Sequence, residues 1–140
     1  GSLQKDFSDF IEKEKLTDKV SLLGLLNKNE MLDFYNNIDI YVSTSLSDGG
    51  LSSSTAEAMS FERLIIITNN SDNKLWIRNN ENGFLFNNGD YKGLAKIIEN
   101  VINNKKEVKP LALTARKIIE ENFSYEKEMR KVERIYKNFV

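Results

Sequence analysis

An unbroken aliphatic run, "LIIIT" at residues 64–68, constrains the fold of this chain more than any other feature. A strand with one face in water alternates apolar and polar residues, whereas a continuous run indicates a strand buried on both faces of a parallel sheet. The β-branched and aromatic run "IDIYVST" precedes it, and the short apolar run "NGFLF" follows it. Helical patterns separate these runs, so the sequence predicts alternating β and α units around a doubly wound parallel sheet.

The remaining apolar patterns complete the predicted order of elements. "KVSLLGLL" is interpreted as a short buried strand that ends at Gly24, and "NKNEMLDFYNNI" as a helix capped by Asn27 or Asn29. Lys105-Lys106 is interpreted as part of a solvated, Asn-rich connection. Beyond Pro110 the pattern is purely helical, which predicts two C-terminal helices.

Composition limits the chemistry that this chain can support. Its 140 residues, 40% hydrophobic and 29% charged, are typical of one soluble globular domain. A net charge of -1 gives no electrostatic case for a nucleic-acid partner. There is no Cys and no His, which excludes thiolate chemistry, Cys-based metal sites and the usual neutral-pH general base. Any chemistry must therefore use carboxylates, hydroxyls, amides, Lys or Arg.

One stretch, "TSLSDGGLSSSTAEAM" at residues 44–59, follows the predicted strand "IDIYVST". Ligands of doubly wound sheets bind beyond the carboxyl ends of the strands. Gly49 and Gly50 allow positive φ and a close approach of ligand to backbone. The first turn of the next helix, residues 52–55, has N–H groups without helical partners, which a diphosphate would satisfy. Glu57 lies about one and a half turns into that helix, where its carboxylate can accept hydrogen bonds from a ribose diol.

The same residues also fit an ordinary turn into an ordinary helix. A serine caps a helix, paired glycines make a turn, and Glu57 is then a solvated acid. The residue types alone leave both interpretations open. Trp76 is likewise either part of a sugar pocket or a packing residue. Asp72 and Asn73 either reach a donor sugar or cap a short helix.

The order of motifs, namely "LLGLL", "YNNIDIYVSTSLSDGGLSSSTAEAMSFERLIIIT", "NGFLF" and "FSYEKEMRKVERIY", resembles the carboxy-terminal domain of a GT-B glycosyltransferase, most similar to glycosyltransferase family 4. The resemblance implies an α/β Rossmann-like doubly wound parallel sheet with helices on both faces, lacking its first strand and ending in two C-terminal helices. Residues 1–140 are then a single donor-binding domain, with Gly1-Ser2 as a cloning scar and the acceptor-binding amino-terminal domain absent.

The resemblance also implies roles for particular residues. Glu57 matches the glutamate that holds the ribose hydroxyls, and Gly24 and Leu25 match a turn that borders the nucleobase. Asp48 is the nearest match to the family's first acid, which contacts sugar hydroxyls, and is the predicted catalytic residue. The predicted substrate-binding residues of the loop and helix are Gly49, Gly50, Leu51, Ser52, Ser53, Ser54 and Thr55.

Two departures from the family pattern accompany this match. Asp48 stands one position away from the usual acid, which is a glutamate. The segment "SFERL" replaces Ala-Cys/Tyr-Gly and a following proline, so the predicted turn from helix to strand lacks its glycine.

The function implied is the donor-binding half of a retaining glycosyltransferase. It would move a hexose-like sugar from a nucleotide diphosphate sugar to a glycan or lipid-linked acceptor, in bacterial surface polysaccharide or glycoconjugate synthesis. The nucleotide sugar is a substrate, and no cofactor or metal is expected. The chain by itself is predicted to be inactive. The alternatives left open are a GT-B nucleotide-sugar epimerase and a degenerate, non-catalytic nucleotide-sugar-binding or interaction domain.

The implied partners are the donor and, through the absent amino-terminal domain, the acceptor. No nucleic-acid partner is expected. The predicted location is the cytoplasm, and peripheral association of the full-length protein with the inner face of the membrane is left open. A C-terminal apolar stripe predicts either packing on the absent domain or dimerisation of the fragment; its members are Met129, Val132, Ile135, Tyr136 and Phe139.

Overall fold

The computed structural model describes residues 3–46, 50–70 and 72–138. The chain divides into two compact units, Gly1–Phe34 and Tyr35–Val140. The boundary between them falls inside helix α2, Lys28–Asn37. Each unit is described by itself below.

The first unit contains helix α1, Gln4–Lys13, and the beginning of α2. A reciprocal capping box begins α2, because the Asn27 side chain accepts from the Glu30 amide at 3.1 Å and the Glu30 side chain accepts from the Asn27 amide at 2.7 Å. Of the two predicted caps, Asn27 is therefore the one that contacts the helix.

The strand predicted for "KVSLLGLL" is wrong, since residues 20–25 contain no strand. A β-strand exists only when its amide and carbonyl groups pair with a neighbouring strand. All strands of the described residues lie in the second unit and form one sheet among themselves. The apolar run is not paired in that sheet, despite a composition that suits a strand.

The second unit is built on three parallel strands in the order β1 (Ile40–Ser43), β2 (Leu64–Thr68) and β3 (Phe84–Phe86). Ile40 pairs with Leu64, and Ile66 pairs with Phe84. Every residue of the central strand β2 is buried. The inference drawn from "LIIIT", a strand covered on both faces of a parallel sheet, is confirmed.

Helices α3 (Ser53–Ser60), α4 (Asn73–Trp76), α5 (Tyr91–Asn103), α6 (Lys105–Asn122) and α7 (Tyr125–Lys137) complete this unit. Leu64 and Ile66 of β2 share a core cluster with Val101 of α5. Helix α3 packs against β1 and β2, and α6 packs against both α3 and β2. The predicted α/β fold with helices on both faces of a parallel sheet is thereby confirmed.

The loop predicted at Lys105-Lys106 is wrong, because these lysines form the first turn of α6. Only Asn104 separates α5 from α6, and Pro110 lies inside α6. Proline in a helix interior removes one hydrogen bond. Ala112 and Ala115, which follow it, are buried, so tertiary packing outweighs the local cost.

The stripe predicted on the last helix lies on α7. Met129, Val132, Ile135 and Tyr136 are exposed, whereas Phe139 lies outside the described residues. What covers this stripe remains a prediction. No helix in the part of the chain that the structure describes has the length and apolarity needed to cross a bilayer.

Candidate functional site

The candidate site lies where β1 ends and α3 begins. Because the three strands are parallel, the residues after Ser43 lie beyond the carboxyl edge of the sheet, where α/β proteins bind ligands. Asp48 and Gly49, which belong to the predicted site, lie outside the described residues.

Gly50, in the loop between β1 and α3, has an unusual backbone conformation. Its φ is +122°, a value that residues with a side chain rarely adopt. Apart from its neighbours in the chain, no atom of the described residues lies within 4 Å of the position that a Cβ would take there. Gly50 is thus required by the backbone conformation, and it leaves open space beside the main chain. Leu51, which follows, is half-buried.

Ser52 caps α3. Its Oγ accepts a hydrogen bond from the Thr55 amide at 3.3 Å and lies 2.8 Å from the Thr55 hydroxyl. Its carbonyl accepts from the Ala56 amide at 3.0 Å. The amides of Ser53 and Ser54 are first-turn groups that have no acceptor inside the helix. The cap and the bare amides therefore occur together, so the capping interpretation and the ligand interpretation do not exclude each other.

The first-turn side chains divide into inward and outward groups. Thr55 is 1% exposed, and Ser54 Oγ accepts from the Tyr41 hydroxyl at 2.8 Å. Ser53 is exposed. The hydroxyls of Ser52, Ser54 and Thr55 thus have partners within the protein, whereas that of Ser53 faces outward.

Glu57 is exposed on α3, and its carboxylate is near enough to Tyr35 to influence that phenol. The hydroxyl of Tyr35, a residue of α2 that is only 2% exposed, donates to the Ser54 carbonyl in the first turn of α3 at 3.3 Å. Burial first, and then the nearby Glu57 carboxylate, raise the pKa of Tyr35 well above its ordinary value. The phenol therefore stays protonated and remains a donor.

Tyr35 is a residue that the sequence interpretation missed, because its pattern indicated only an apolar helix position. The available signal was its chemistry. A buried tyrosine hydroxyl needs a hydrogen-bond partner, and the first turn of α3 supplies one in the Ser54 carbonyl.

The turn after α3 shows how this chain manages without the expected glycine. Glu62 has φ +56°, the left-handed conformation that glycine adopts without strain. Its carboxylate is 2.7 Å from Arg116. Arg63 donates to the carbonyls of Phe61 and Ile38, at 2.5 Å and 2.7 Å. The segment "SFERL" therefore keeps the tight turn by means of side-chain contacts.

Two side chains that follow β2, Asn73 and Trp76, make contacts within the protein that the sequence did not indicate. Asn73 is 1% exposed and donates to the Thr68 carbonyl at 2.9 Å. Asp72 makes no side-chain capping bond to α4. Trp76 lies 4.8 Å, centroid to centroid, from Phe123, which favours the packing interpretation of this tryptophan.

Gly24 and Leu25 belong to the first unit. Gly24 has φ +71°, so the predicted turn is present, and Leu25 is exposed. Their proposed place beside a nucleobase remains a prediction.

A cavity of about 770 Å³ lies at the opposite edge of the sheet, beside the amino ends of β1 and β2. Ile40, Leu64 and Val101 contribute to its apolar lining. Lys105 and Asp39, which also line it, form an ion pair at 3.7 Å. None of the predicted site residues that the structure describes lines this cavity, and ligands of parallel sheets bind at the carboxyl edge. We therefore place the candidate site at α3.

Comparison with known proteins identifies the family. The family model described as "Glycosyl transferases group 1" matches residues 1–118. The chain belongs to this family. The sequence resemblance to a GT-B glycosyltransferase domain is thus confirmed, while membership of family 4 in particular remains a prediction.

Three similar proteins illustrate the relationship of this group 1 glycosyltransferase chain to others. It is 27% identical over 135 residues to the capsular polysaccharide biosynthesis glycosyltransferase CapM of Staphylococcus aureus, covering 96% of this chain and 34% of CapM. A structure of a variant of S. aureus TarM with fondaparinux, α-GlcNAc-glycerol and UDP superimposes with a TM-score of 0.84 at 26% identity, covering 97% of this chain and 27% of TarM.

The C-terminal domain of the group 1 protein LpcC of Francisella tularensis has the same fold, with a TM-score of 0.79 at 20% identity; the match covers 89% of this chain and 64% of that domain's chain. The present chain spans about a third of the length of the curated relatives that it matches.

Proposed function

We propose that this chain is the donor-binding half of a retaining glycosyltransferase, which moves a hexose-like sugar from a nucleotide diphosphate sugar to a glycan or lipid-linked acceptor. The observation that carries the proposal is the exposed Glu57 carboxylate, which lies beyond the first turn of α3 at the carboxyl edge of the sheet. The UDP in the TarM complex and the role of CapM in capsular polysaccharide biosynthesis support a nucleotide-sugar donor and a surface-polysaccharide product.

In this proposal two parts of α3 bind two parts of the donor. The amides of Ser53 and Ser54, with the positive end of the helix dipole, face the diphosphate, and Glu57 accepts from the ribose diol. The dipole contributes only about 0.3–1 kcal/mol at an exposed site. A hydrogen bond to a charged group contributes about 1.5–3 kcal/mol. Glu57 therefore dominates the recognition that α3 provides, and cations from outside this chain complete the diphosphate site.

The bare helix end also has a role in the reaction itself. Negative charge develops on the diphosphate as the bond to the sugar breaks, and fixed amide dipoles stabilise that charge without reorganising. This arrangement requires no metal and no cofactor from this chain. Asp48 is proposed to contact the hydroxyls of the transferred sugar, next to the backbone of Gly49, Gly50 and Leu51.

The acceptor and its positioning groups are proposed to come from the part of the protein outside this chain. The chain is accordingly expected to bind nucleotide diphosphates weakly and to transfer no sugar by itself. Sugar transfer by the isolated 140-residue chain would contradict the proposal that the acceptor-binding groups lie outside it.

Titration calorimetry of the full-length protein with UDP, GDP and ADP tests the proposal. We expect saturable binding of at least one of them in the absence of added metal. If the full-length protein binds none of the three, the proposed function is wrong. Conversion of the sugar nucleotide to an epimer, without transfer to any acceptor, would favour the epimerase alternative.

A further inference from the structure

We propose that Tyr41 is a positioning residue for the first turn of α3: its hydroxyl anchors Ser54 to the sheet and so fixes the amides of Ser53 and Ser54 before the diphosphate arrives. This inference rests on the proposed function and adds to it a residue that determines affinity for the diphosphate. Tyr41 belongs to β1 and acts through Ser54, not by contact with the donor.

Two tyrosines from different elements hold Ser54. The Tyr41 hydroxyl donates to Ser54 Oγ at 2.8 Å, a favourable length for a hydrogen bond between two hydroxyls. The Tyr35 hydroxyl, from α2, donates to the Ser54 carbonyl at 3.3 Å. Ser54 is therefore bound at its side chain from β1 and at its main chain from α2.

The first turn of α3 has little local restraint of its own. The helix has eight residues, Ser53–Ser60, and helices of this length depend on tertiary contacts for their stability. The residue two positions before the cap is Gly50, whose φ of +122° lies in a range open mainly to glycine. The cap itself, from Ser52 to the Thr55 amide, joins the turn only to itself. A fixed position for this helix end must therefore come from contacts with other elements.

Strand β1 is a firm anchor for the turn. Tyr41 pairs with Ile65 of the central strand β2, and Ile65 is completely buried. The phenol of Tyr41 therefore links the helix end to the core of the sheet. Groups that are ordered before binding cost less to order when the ligand arrives, and fixed amide dipoles stabilise a developing charge without reorganising.

The anchored serine is also connected to the cap. Ser54 Oγ lies 3.4 Å from Ser52 Oγ, which in turn lies 2.8 Å from the Thr55 hydroxyl. Because Ser54 accepts the proton of Tyr41, its own proton is available to Ser52. Tyr41 is thus connected, through Ser54, to each inward-facing hydroxyl of the turn.

The test uses the full-length protein and measures by calorimetry the Kd values of UDP, GDP and ADP and of the matching monophosphates UMP, GMP and AMP. Tyr41→Phe keeps the ring and removes only the hydroxyl. We expect the Kd of the diphosphate to weaken about three- to tenfold, as for one lost hydrogen bond, and that of the monophosphate by less than about twofold. The preference for diphosphate over monophosphate therefore falls. Because this ratio is taken within one variant, a loss of folded protein does not alter it.

A second variant breaks the same hydrogen bond from the other side. Ser54→Ala removes the acceptor, keeps the Ser54 amide and should lower the same ratio. Added to Ser54→Ala, Tyr41→Phe should change the diphosphate Kd by less than about twofold, because the bond is already absent. Tyr125→Phe is the matched control, since Tyr125 is 77% exposed on α7, and it should leave both Kd values unchanged.

The outcomes are distinguishable. If Tyr41→Phe weakens diphosphate and monophosphate equally, or acts as strongly in the Ser54→Ala background as in the wild type, Tyr41 does not position the turn through Ser54 and the inference is overturned. If the wild type binds a nucleoside diphosphate and Tyr41→Phe binds it equally well, the inference fails while the proposed function stands. If the wild-type protein binds none of the diphosphates, both fail.

Discussion

Each inward-facing hydroxyl in the first turn of α3 has a partner, and each partner has a different origin. Ser52 and Thr55 pair with one another inside the turn, whereas Ser54 is bound by Tyr41 of β1. Only the first pairing is visible in the sequence, because it depends on local spacing. The contact from Tyr41 joins residues 13 positions apart and requires the fold.

Glu62 is a second residue whose local conformation follows from the sequence while its contacts do not. The sequence correctly indicates a tight turn without glycine, but it does not indicate how the turn is maintained. A residue with a Cβ in the left-handed region costs roughly 1–2 kcal/mol. The contacts that accompany it, from Arg116 to Glu62 and from Arg63 to two carbonyls, involve partners far away in the chain.

Tyr35 also predicts a dependence of stability on pH. Its pKa is raised in the folded state, so its contribution to stability is complete below about pH 10, the ordinary pKa of tyrosine. That contribution is lost as the pH rises toward the folded-state pKa. We expect the unfolding free energy of wild-type protein to fall above about pH 10, by up to about 1.4 kcal/mol per pH unit from this group.

Urea denaturation of wild-type and Tyr35→Phe protein between pH 7 and pH 11 provides the measurement. The advantage of the wild type over the variant should shrink above pH 10, because the variant lacks the titrating phenol. A difference between the two proteins that stays constant over this range would show that Tyr35 does not titrate differently on folding.

At the scale of secondary-structure elements, prediction succeeds where an element depends on its own residues. The capping box at Asn27 and the cap at Ser52 are local, and both are formed. The predicted strand in "KVSLLGLL" is absent because a strand depends on a neighbour. Pro110 and the two lysines Lys105-Lys106 suggested a loop, but all three lie in α6. Packing of this helix outweighs their local preference for a loop.

The cap at Ser52 predicts a measurable loss of stability. Ser52→Ala should lower the unfolding free energy by about 1 kcal/mol, because the Thr55 amide and hydroxyl lose their partner. Ser53→Ala is the matched control on the neighbouring residue, which is exposed, and it should change stability by less than about 0.5 kcal/mol. Equal effects in chemical denaturation would mean that Ser52 does not cap the helix.

At the scale of the whole molecule, the sequence predicted the parallel sheet and the place of the loop after β1 because both follow from one feature. A solid aliphatic strand implies burial on both faces, burial implies βα crossovers, and crossovers place the loop after β1 at the carboxyl edge. The contact between Tyr35 and the first turn of α3 was not predictable in this way. It joins α3 to α2, the helix that precedes β1, and no spacing in the sequence brings Tyr35 and Ser54 together.

The central claim is that Glu57 binds the donor. Steady-state kinetics of full-length protein with the nucleotide sugar that the wild type uses test this claim most directly. Glu57→Ala should lower kcat/KM for the donor by at least about tenfold, the equivalent of one lost hydrogen bond to a charged group. The control, Glu107→Ala, removes an exposed acid of α6 and should leave kcat/KM within about twofold of the wild type. Unchanged turnover of the Glu57→Ala protein would contradict the account and favour a degenerate, non-catalytic domain.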